Sequence, residues 1–305
     1  MKNIIEKFNK NSIAVRAVAF TLGIASLFIA TITSNSVVAA ATSANLGTAD
    51  SFAVLAGSAI TNNGSSVING NLGISPGSAV TGFPPGSING TQQVANSIAV
   101  QAQTDLTAAY NNAAGQTPVS TIPTELGGTI KTAGVYDSAA GTFQITGTLT
   151  LDAAGDPNAV FVFKTNSTLI TSGTSKVVLL NSAQACNVFW QVGSSATLGT
   201  NSIFKGNILA LTSATLTTGT NVEGRVLARN GAVTLDTNTI TRATCATTTP
   251  TSTSTSSSTF KTSPKLPNTG IDPEDNTSTP WSIIIMTGIF AVLFSFYLVQ
   301  RKQLK

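Results

Sequence analysis

The amino-acid sequence predicts an all-β fold with one long helix, in which the strands form a parallel β-solenoid. A short unit occurs three times between positions 187 and 240. The units are rich in Thr, Ser, Val, Ile and Leu and are punctuated by Gly and Asn, as expected for short strands joined by turns. One earlier stretch shows instead the helical spacing of an amphipathic helix.

The three units share two strand-like segments. The first segments are Val188-Phe-Trp-Gln, Ile208-Leu-Ala-Leu and Val226-Leu-Ala-Arg. The second segments are Ser195-Ala-Thr-Leu, Ser213-Ala-Thr-Leu and Gly231-Ala-Val-Thr-Leu. Successive coils of a solenoid lie about 4.8 Å apart, and side chains alternate between the two sides of a strand. Each Leu is therefore expected to point inward and the Thr before it outward, so that equivalent Thr residues form a ladder.

The chain opens with the features of a secretory signal. Residues 2–10 carry positive charge, residues 13–32 are mostly apolar, and Val38-Ala39-Ala40 supplies the small residues that a signal peptidase prefers. Residues 1–41 are therefore expected to be removed, and the mature chain is expected to begin near Thr42.

The first part of the mature chain also contains an internal repeat. The segment Phe52-Ala-Val-Leu-Ala-Gly-Ser-Ala-Ile-Thr is echoed by Leu72-Gly-Ile-Ser-Pro-Gly-Ser-Ala-Val-Thr. Ile60 and Val80 are expected to be buried. The outward residues of these two coils are then Ala59, Thr61, Ala79 and Thr81.

The helix is predicted over about residues 91–114. Thr91 is its candidate N-cap and Gly115 its stop. Its narrow, Ala-rich apolar stripe predicts that it packs flat on one flank of the solenoid. Asp105 has two interpretations, a ligand-binding carboxylate or a member of a solvated helix face. The stripe consists of Val94, Ile98, Ala102, Leu106, Ala109 and Tyr110.

Strand-like segments resume after the Pro- and Gly-rich loop 116–128. They cover residues 129–136, 146–152 and 159–164. Leu149 and Leu169 have the same spacing as Phe52 and Leu72 of the first repeat, and they are taken as inward residues of successive coils. The whole solenoid domain, residues 42–245, is long enough to bury one substantial core.

The charge distribution and the missing residue types exclude several functions. Residues 1–41, 42–245 and 246–305 carry net charges of +3, −1 and +2. The domain therefore has no basic surface that would bind nucleic acid. The sequence contains no His, which excludes Ser-His-Asp catalysis, Cys-His catalysis and His-containing zinc sites. No metal and no cofactor are predicted.

The sequence contains two cysteines, Cys186 and Cys245. In an exported protein they are expected to form a disulfide that ties the start of the repeat region to its end. The alternative is a pair of unpaired small core residues.

The C-terminal part of the chain predicts a stalk and an anchor. Residues 246–265 are dominated by Thr, Ser and Pro, too polar to form a core. The pentapeptide Leu266, Pro267, Asn268, Thr269 and Gly270 follows, and then come an apolar stretch at 281–299 and a basic tail. This order resembles the cell-wall sorting signal of Gram-positive surface proteins. The resemblance implies that a sortase cleaves after Thr269 and joins Thr269 to peptidoglycan. A plain membrane anchor with a cytoplasmic basic tail is the alternative.

Motifs along residues 46–243 resemble the microbial ice-binding (antifreeze) protein domain. They are Gly57-Ser-Ala-Ile-Thr, Gly73-Ile-Ser-Pro-Gly-Ser-Ala-Val-Thr-Gly-Phe-Pro-Pro-Gly, Gly134-Val-Tyr, Leu149-Thr-Leu-Asp, Ala159-Val-Phe-Val-Phe, Asn187-Val-Phe-Trp-Gln-Val-Gly-Ser-Ser-Ala-Thr-Leu-Gly-Thr and Gly224-Arg-Val-Leu-Ala-Arg-Asn-Gly-Ala-Val-Thr-Leu. The resemblance implies a discontinuous right-handed β-solenoid of triangular section with a helix alongside. It also implies that one flat face binds ice.

The residues themselves favour one of the three faces for that role. One face carries Lys205 and Glu223, and another carries Gln191 and Arg229, and charged groups hold liquid water. The third contains few charges, and Asp236 intrudes only at its edge. β-Branched Thr side chains are stiff, so a row of them can hold ordered water with little loss of entropy. The predicted ice-binding residues are Ala59, Thr61, Ala79, Thr81, Thr148, Thr150, Thr168, Ser195, Thr197, Ser213, Thr215, Thr217, Ala232 and Thr234.

Together these features predict a monomeric, non-enzymatic ice-binding domain held outside the cell on its wall. Thr is also a good strand residue, so a Thr-rich wet face without ice affinity is one alternative. A surface adhesin that binds a glycan or a protein is a second. A β-helical polysaccharide lyase or hydrolase is a third, but it would need a carboxylate cluster or a basic groove. Asp152 and Asp156 lie beside Gly155 and Pro157, a pattern typical of turns.

Overall fold

The computed structural model describes residues 40–117 and 119–246. Within these residues the chain forms one α-helix, 22 strands and two short 3₁₀-helices, at Gly47–Ser51 and Ala185–Asn187. No helix in the described ranges is both long and apolar enough to cross a bilayer. The predicted signal sequence up to residue 39, the stalk from residue 247 and the sorting signal lie outside the described residues.

Seven strands precede the helix α1 (Ser97–Gly115), and fifteen follow it. The first seven are β1 (Phe52–Ala56), β2 (Ala59–Asn63), β3 (Val67–Asn69), β4 (Asn71–Ile74), β5 (Ala79–Thr81), β6 (Ser87–Ile88) and β7 (Gln92–Val94). The others are β8 (Ser120–Ile122), β9 (Ile130–Thr132), β10 (Gly134–Ser138), β11 (Phe143–Ile145), β12 (Thr148–Asp152), β13 (Phe161–Thr165), β14 (Leu169–Thr171), β15 (Lys176–Leu180), β16 (Val188–Val192), β17 (Ala196–Leu198), β18 (Ile203–Ala210), β19 (Ala214–Leu216), β20 (Asn221–Ala228), β21 (Val233–Asp236) and β22 (Thr239–Thr241).

A complete coil contributes one strand segment to each of three faces, and the pairs between coils are parallel. The helix-bearing face consists of β8, β10, β13, β16, the second halves of β18 and β20, and β1, β4 and β7. The threonine face is the seven-stranded sheet of β11, β14, β17, β19, β21, β2 and β5. The charged face consists of β9, β12, β15, the first halves of β18 and β20, and β22, β3 and β6. These strands confirm the predicted β-solenoid with one helix.

The solenoid is discontinuous, because coils adjacent in space are not always adjacent in the chain. On the threonine face, β21 of the last coil pairs with β2 of the first coil. On the helix-bearing face, β20 likewise pairs with β1. The first coils, before α1, therefore form one end of the solenoid. The coils after α1 start at the other end and run back until the last of them pairs with the first coil. The 19 residues of α1 span about 28 Å at 1.5 Å per residue, enough to pass about six coils.

Two hydrophobic cores hold this arrangement. The interior core contains a ladder of aromatic rings, in which Phe163 stacks on Tyr136 at 5.2 Å and on Trp190 at 4.2 Å between ring centroids. The second core lies between the helix-bearing face and α1, where Leu106 and the small Ala102, Ala109 and Ala113 pack on an apolar sheet surface. Small side chains let the helix lie close to the sheet, as the Ala-rich stripe predicts. The buried residues of both cores lie within residues 44–240.

The helix begins later than predicted. Asn96 is its N-cap, and the Asn96 Oδ1 atom accepts a hydrogen bond of 3.0 Å from Ala99 N. Thr91 is therefore not the cap, because β7 forms a parallel ladder with β4 instead. Ala95, with a φ of 48°, separates that strand from the helix. The later start also places Ile98 outside the buried stripe, with 51% of its surface exposed, while Ala99 is buried.

Two glycines allow β18 and β20 to bend from the charged face onto the helix-bearing face. Gly206 has a φ of 111° and Gly224 a φ of 149°, a region that favours glycine. A Cβ atom on Gly224 would lie 1.9 Å from Gly206 O, so neither space nor backbone conformation accepts a side chain there. These bends keep the last coils short, because no loop is needed at the corner.

A disulfide and an ion pair between the buried Arg225 and the exposed Asp50 hold the ends of the coil region. Cys186 and Cys245 are bonded, with their Cα atoms 5.4 Å apart and a sequence separation of 59. A loop of this size stabilises the fold by about 4 kcal/mol in the chain-entropy model. Nearby, the buried Arg225 donates to Asp50 Oδ1 at 2.6 Å and to Asn207 Oδ1 at 2.8 Å. Burial lowers the pKa of Arg225, and the Asp50 carboxylate partly offsets this effect.

Candidate functional site

The threonine face presents one straight row of outward side chains. On each strand of this face the residue before and the residue after that side chain point inward, as the alternation of a strand requires. Direct register partners link the row from coil to coil. This central row runs, in spatial order, Gln144, Ile170, Thr197, Thr215, Thr234, Thr61 and Thr81. Five threonines therefore follow one another without interruption.

Twelve of the fourteen sequence-predicted residues lie on the threonine face. Thr61, Thr81, Thr197, Thr215 and Thr234 are in the central row. A flanking position lies two positions earlier in each coil and is occupied by small or hydroxyl side chains. These are Thr168, Ser195, Ser213, Ala232, Ala59 and Ala79, and Thr217 lies two positions after the central row.

Thr148 and Thr150 do not lie on this face, which corrects the sequence-based prediction. Both are in β12 of the charged face, where they pair with Lys176 and Val178. The prediction took Leu149 and Leu169 as equivalent because their spacing matches that of the first repeat. In the structure Leu149 pairs with Val177, and Leu169 pairs with Phe143.

The cause of this error is a difference in coil length. The coils that contain β10 to β15 turn a corner through extra residues, 153–160 and 181–187, where later coils bend directly at Gly206 and Gly224. The number of residues per coil is therefore larger in these coils. Phe161 pairs with Val188, whereas in the next coil Phe189 pairs with Asn207, which is much nearer in sequence. A constant period cannot be extrapolated from the later coils to the earlier ones.

Two residues of the central row were missed by the sequence-based reasoning. Gln144 and Ile170 occupy the outward positions of β11 and β14. The alternation of Phe143, Gln144 and Ile145 was the available signal for β11, because apolar residues flank a polar one at a period of two. Ile170 is 40% exposed, so one end of the row is less polar than the rest.

Four of the five threonine hydroxyl groups in the central row are free of protein partners, whereas Thr81 Oγ1 donates to Ile60 O at 3.5 Å. In the part of the chain that the structure describes, no protein group lies within hydrogen-bond distance of the side chains of Thr61, Thr197, Thr215 and Thr234. The flanking positions differ, because Thr217 Oγ1 donates to Leu198 O at 2.8 Å and Ser213 Oγ accepts from Ala232 N at 3.2 Å. The flanks therefore fix the backbone, and the central hydroxyls stay available to a ligand.

The threonine face carries a single charged residue in its strands, Asp236, at the edge. Thr218 Oγ1 donates to its carboxylate at 2.5 Å and Asn63 Nδ2 at 3.4 Å, which holds it away from the central row. The charged face instead carries an ion pair between Lys205 and Glu223. Of the two flat, solvent-facing surfaces, the threonine face is thus the one whose centre is uncharged.

The remaining candidate carboxylates have structural partners. Asp105 accepts hydrogen bonds from Thr48 N at 2.7 Å and Thr48 Oγ1 at 2.6 Å, and these bonds lower its pKa. It therefore docks the chain before β1 onto the helix. Asp152 Oδ1 accepts from Ala154 N at 2.8 Å and Asp156 Oδ1 from Asn158 N at 2.8 Å, as in turns. In the described ranges no three metal-binding side chains cluster together.

Comparison with known proteins identifies the family to which this chain belongs. A family model described as ice-binding-like matches residues 54–241, which is more than half of the chain. The chain belongs to the ice-binding-like family. The family model covers both the coils before α1 and the coils after it, so the discontinuous solenoid and the threonine face fall within the matched region.

Individual members of the ice-binding-like family are similar over the same region. An ice-binding protein of Nostoc sp. (strain HG1) is 54% identical over 206 residues, which is 67% of this chain and 76% of the relative. The crystal structure of an ice binding protein from an Antarctic biological consortium is 47% identical with a TM-score of 0.65, and the match covers 66% of this chain and 92% of that one.

A second solved structure is matched over its whole length. The ice-binding protein of the Antarctic ascomycete Antarctomyces psychrotrophicus is 41% identical with a TM-score of 0.64. The match covers 67% of this chain and 100% of that chain. A solved protein of this family therefore matches, over its whole length, about two thirds of this chain, and the domain bounds 42–245 stay a prediction.

Proposed function

We propose that this protein binds ice through the central row of the threonine face. The observation that carries the proposal is the run of Thr197, Thr215, Thr234, Thr61 and Thr81 in direct register, with four of the five hydroxyls free of protein partners. Membership of the ice-binding-like family and the names of its relatives support the choice of ligand.

The physical basis is preorganisation. Neighbouring residues of the central row are one strand spacing apart, about 4.8 Å, which is comparable to oxygen repeats in ice. Each Thr side chain is restricted at its first torsion, and its strand is paired on both sides. Little entropy is lost when water becomes ordered against such a surface, so many weak contacts can add up. Gln144 and Ile170 do not match the pattern, so the contact is centred on the five threonines.

We further propose that the protein acts outside the cell, attached to the wall. The secretory signal and the sorting signal support this localisation, with covalent attachment at Thr269 to peptidoglycan after sortase cleavage. An attached ice-binding domain holds the cell against ice or restrains ice growth around it. The chain has no enzymatic role in this proposal.

The proposal is tested with residues 42–245 as a fluorescently labelled domain. The domain is expected to be incorporated into a growing ice hemisphere and to inhibit recrystallisation, whereas a labelled non-binding protein of similar size is excluded. Circular dichroism verifies folding in the same preparation. A folded domain that stays in the liquid would refute ice binding. Transfer of the sorting signal to a reporter, with release of the reporter only by wall-digesting enzymes, tests anchoring separately.

A further inference from the structure

A cleft of about 340 Å³ lies on the helix-bearing face, beside the C-terminal end of α1. Its volume falls in the range of about 300–1,000 Å³ that is typical of small-ligand sites. The proposed ice contact does not use it. It is lined by Tyr110 from the helix and by Asp137, Lys164 and Gln191 from the sheet. Asn166 and Gly193, in the turns after β13 and β16, complete the lining.

The floor of the cleft is a polar interruption of an apolar row. The outward row of the helix-bearing face runs through six coils in direct register. Three coils contribute Leu55, Leu227 and Leu209, which are buried in the core under α1. The next three contribute Gln191, Lys164 and Asp137. The apolar part of this row therefore ends at Leu209, and polar side chains take its place beside the end of the helix.

The polar groups around the cleft are only partly satisfied. Lys164 Nζ donates to Ala114 O and Gln116 O, both at 3.0 Å, so its ammonium group is used by the end of the helix. Gln191 is only 6% exposed and Tyr110 only 8%. Among the described residues, no protein group is within hydrogen-bond distance of the Gln191 amide, the Tyr110 hydroxyl or the Asp137 carboxylate. The polar atoms of these three side chains are open to solvent in the cleft, so they are available to a bound molecule.

The charges around the cleft select a neutral ligand. The Asp137 carboxylate has no ion-pair partner among the described residues and opposes an anion. A cation is opposed by Lys164 in the floor and by Arg229, whose guanidinium carbon lies 4.7 Å from the centroid of the Tyr110 ring. An amide, a hydroxyl and a carboxylate together offer donors and acceptors that match adjacent hydroxyl groups.

We propose that this cleft binds a neutral sugar ring. The Gln191 amide, the Tyr110 hydroxyl and the Asp137 carboxylate hydrogen-bond its hydroxyl groups. Because Arg229 covers one face of the Tyr110 ring, stacking contributes little, and the dissociation constant is expected in the millimolar range, about 1–10 mM.

The test is a titration of ¹⁵N-labelled residues 42–245, followed by NMR. The probes are methyl β-glucopyranoside and N-acetylglucosamine, with glucosamine and glucose 6-phosphate as charged comparisons at equal ionic strength. Saturable shifts are expected for the Gln191 side-chain amide and the Gly193 backbone amide with the neutral sugars. An absence of saturable shifts up to about 100 mM, far above the expected constant, would overturn the proposal. Tighter binding of either charged sugar would also overturn it.

Two variants separate the cleft from the rest of the fold. Gln191→Leu continues the row of Leu55, Leu227 and Leu209, so the domain is expected to fold, and neutral-sugar affinity is expected to fall by about 10-fold or more. Asp137→Asn keeps the shape and is expected to weaken binding by a smaller factor. Unchanged sugar affinity in both variants would contradict the assignment. Ice incorporation of Gln191→Leu is expected to be normal, so failure at one site does not imply failure at the other.

Discussion

The threonine face and the charged face come from the same coils and the same kinds of strand, yet their surfaces differ. Both are parallel, flat and rich in β-branched residues. The charged face mixes Lys176, Lys205 and Glu223 with the exposed apolar side chains Ile130 and Val178. The threonine face repeats one residue type in register over five coils. Threonine content alone therefore does not distinguish the two faces, whereas an uninterrupted row of threonines does.

The largest effect is expected from Gly224→Ala, which would disrupt the bend in β20 and so destabilise the coils that form both faces. The new Cβ would lie 1.9 Å from Gly206 O at a φ of 149°. The free energy of unfolding is expected to fall by about 3 kcal/mol or more, measured by urea denaturation. The matched control is Gly115→Ala at the end of α1, where a Cβ meets nothing within 4 Å. That variant should be neutral or more stable by at most about 1 kcal/mol. Equal stabilities of the two variants would show that the corner is not constrained.

The next effect separates the two faces directly. Thr215→Tyr places a bulky ring in the middle of the central row, and recrystallisation inhibition is expected to require about 10-fold more protein or worse, because a flat contact is lost. Thr150→Tyr is the matched control, because Thr150 lies on the charged face beside Val178. Its activity is expected to stay within about 2-fold of the unmodified domain. Loss of activity in Thr150→Tyr alone would move the contact to the charged face.

A smaller effect is expected from Ile170→Thr, which extends the threonine row by one coil. Ile170 pairs in register with Thr197 and is exposed, so the substitution should leave stability nearly unchanged. Ice activity is expected to rise by about 2-fold, because one more hydroxyl and methyl group join the registered surface. The measurement is the lowest concentration that stops recrystallisation. A loss of activity would show that the apolar end of the row already contacts ice.

The smallest effect concerns pH. The central row has no titratable group, so ice activity is expected to be constant from about pH 5 to 9. Stability should behave differently in acid. Hydrogen bonds from Thr48 hold the pKa of Asp105 below its ordinary value. Partial burial works to raise the pKa of Glu125, but hydrogen bonds from Thr146 and Gly127 lower it overall.

The sign of that acid effect follows from the lowered pKa values. The stability that both carboxylates contribute is present above their unfolded pKa values, near 4, and is lost as the pH falls through the folded values. The melting temperature of the domain should therefore drop below about pH 4, and Asp105→Asn should reduce the size of the drop. A melting temperature that is independent of pH down to about pH 2 would contradict the assigned hydrogen bonds.

The fold was largely predictable because the later coils repeat without insertions. The regular spacing of Leu198, Leu216 and Leu235 placed Thr197, Thr215 and Thr234 correctly in one row. The same regular spacing does not hold in the earlier coils, because corner loops lengthen them. Thr148 and Thr150 therefore lie on the charged face. The start of the helix was predicted wrongly for a related reason, because β7 pairs with the edge strand β4 instead of joining the helix. Tertiary pairing decided these positions, and local sequence does not encode it.

The most direct test of the threonine row is one ice hemisphere grown from a mixture of two labelled variants of residues 42–245. Thr215→Tyr carries one dye and Thr150→Tyr another, so both meet the same ice surface under identical conditions. We expect Thr150→Tyr in the ice and Thr215→Tyr in the liquid. Equal incorporation of the two, or the reverse distribution, would contradict ice contact through the central row.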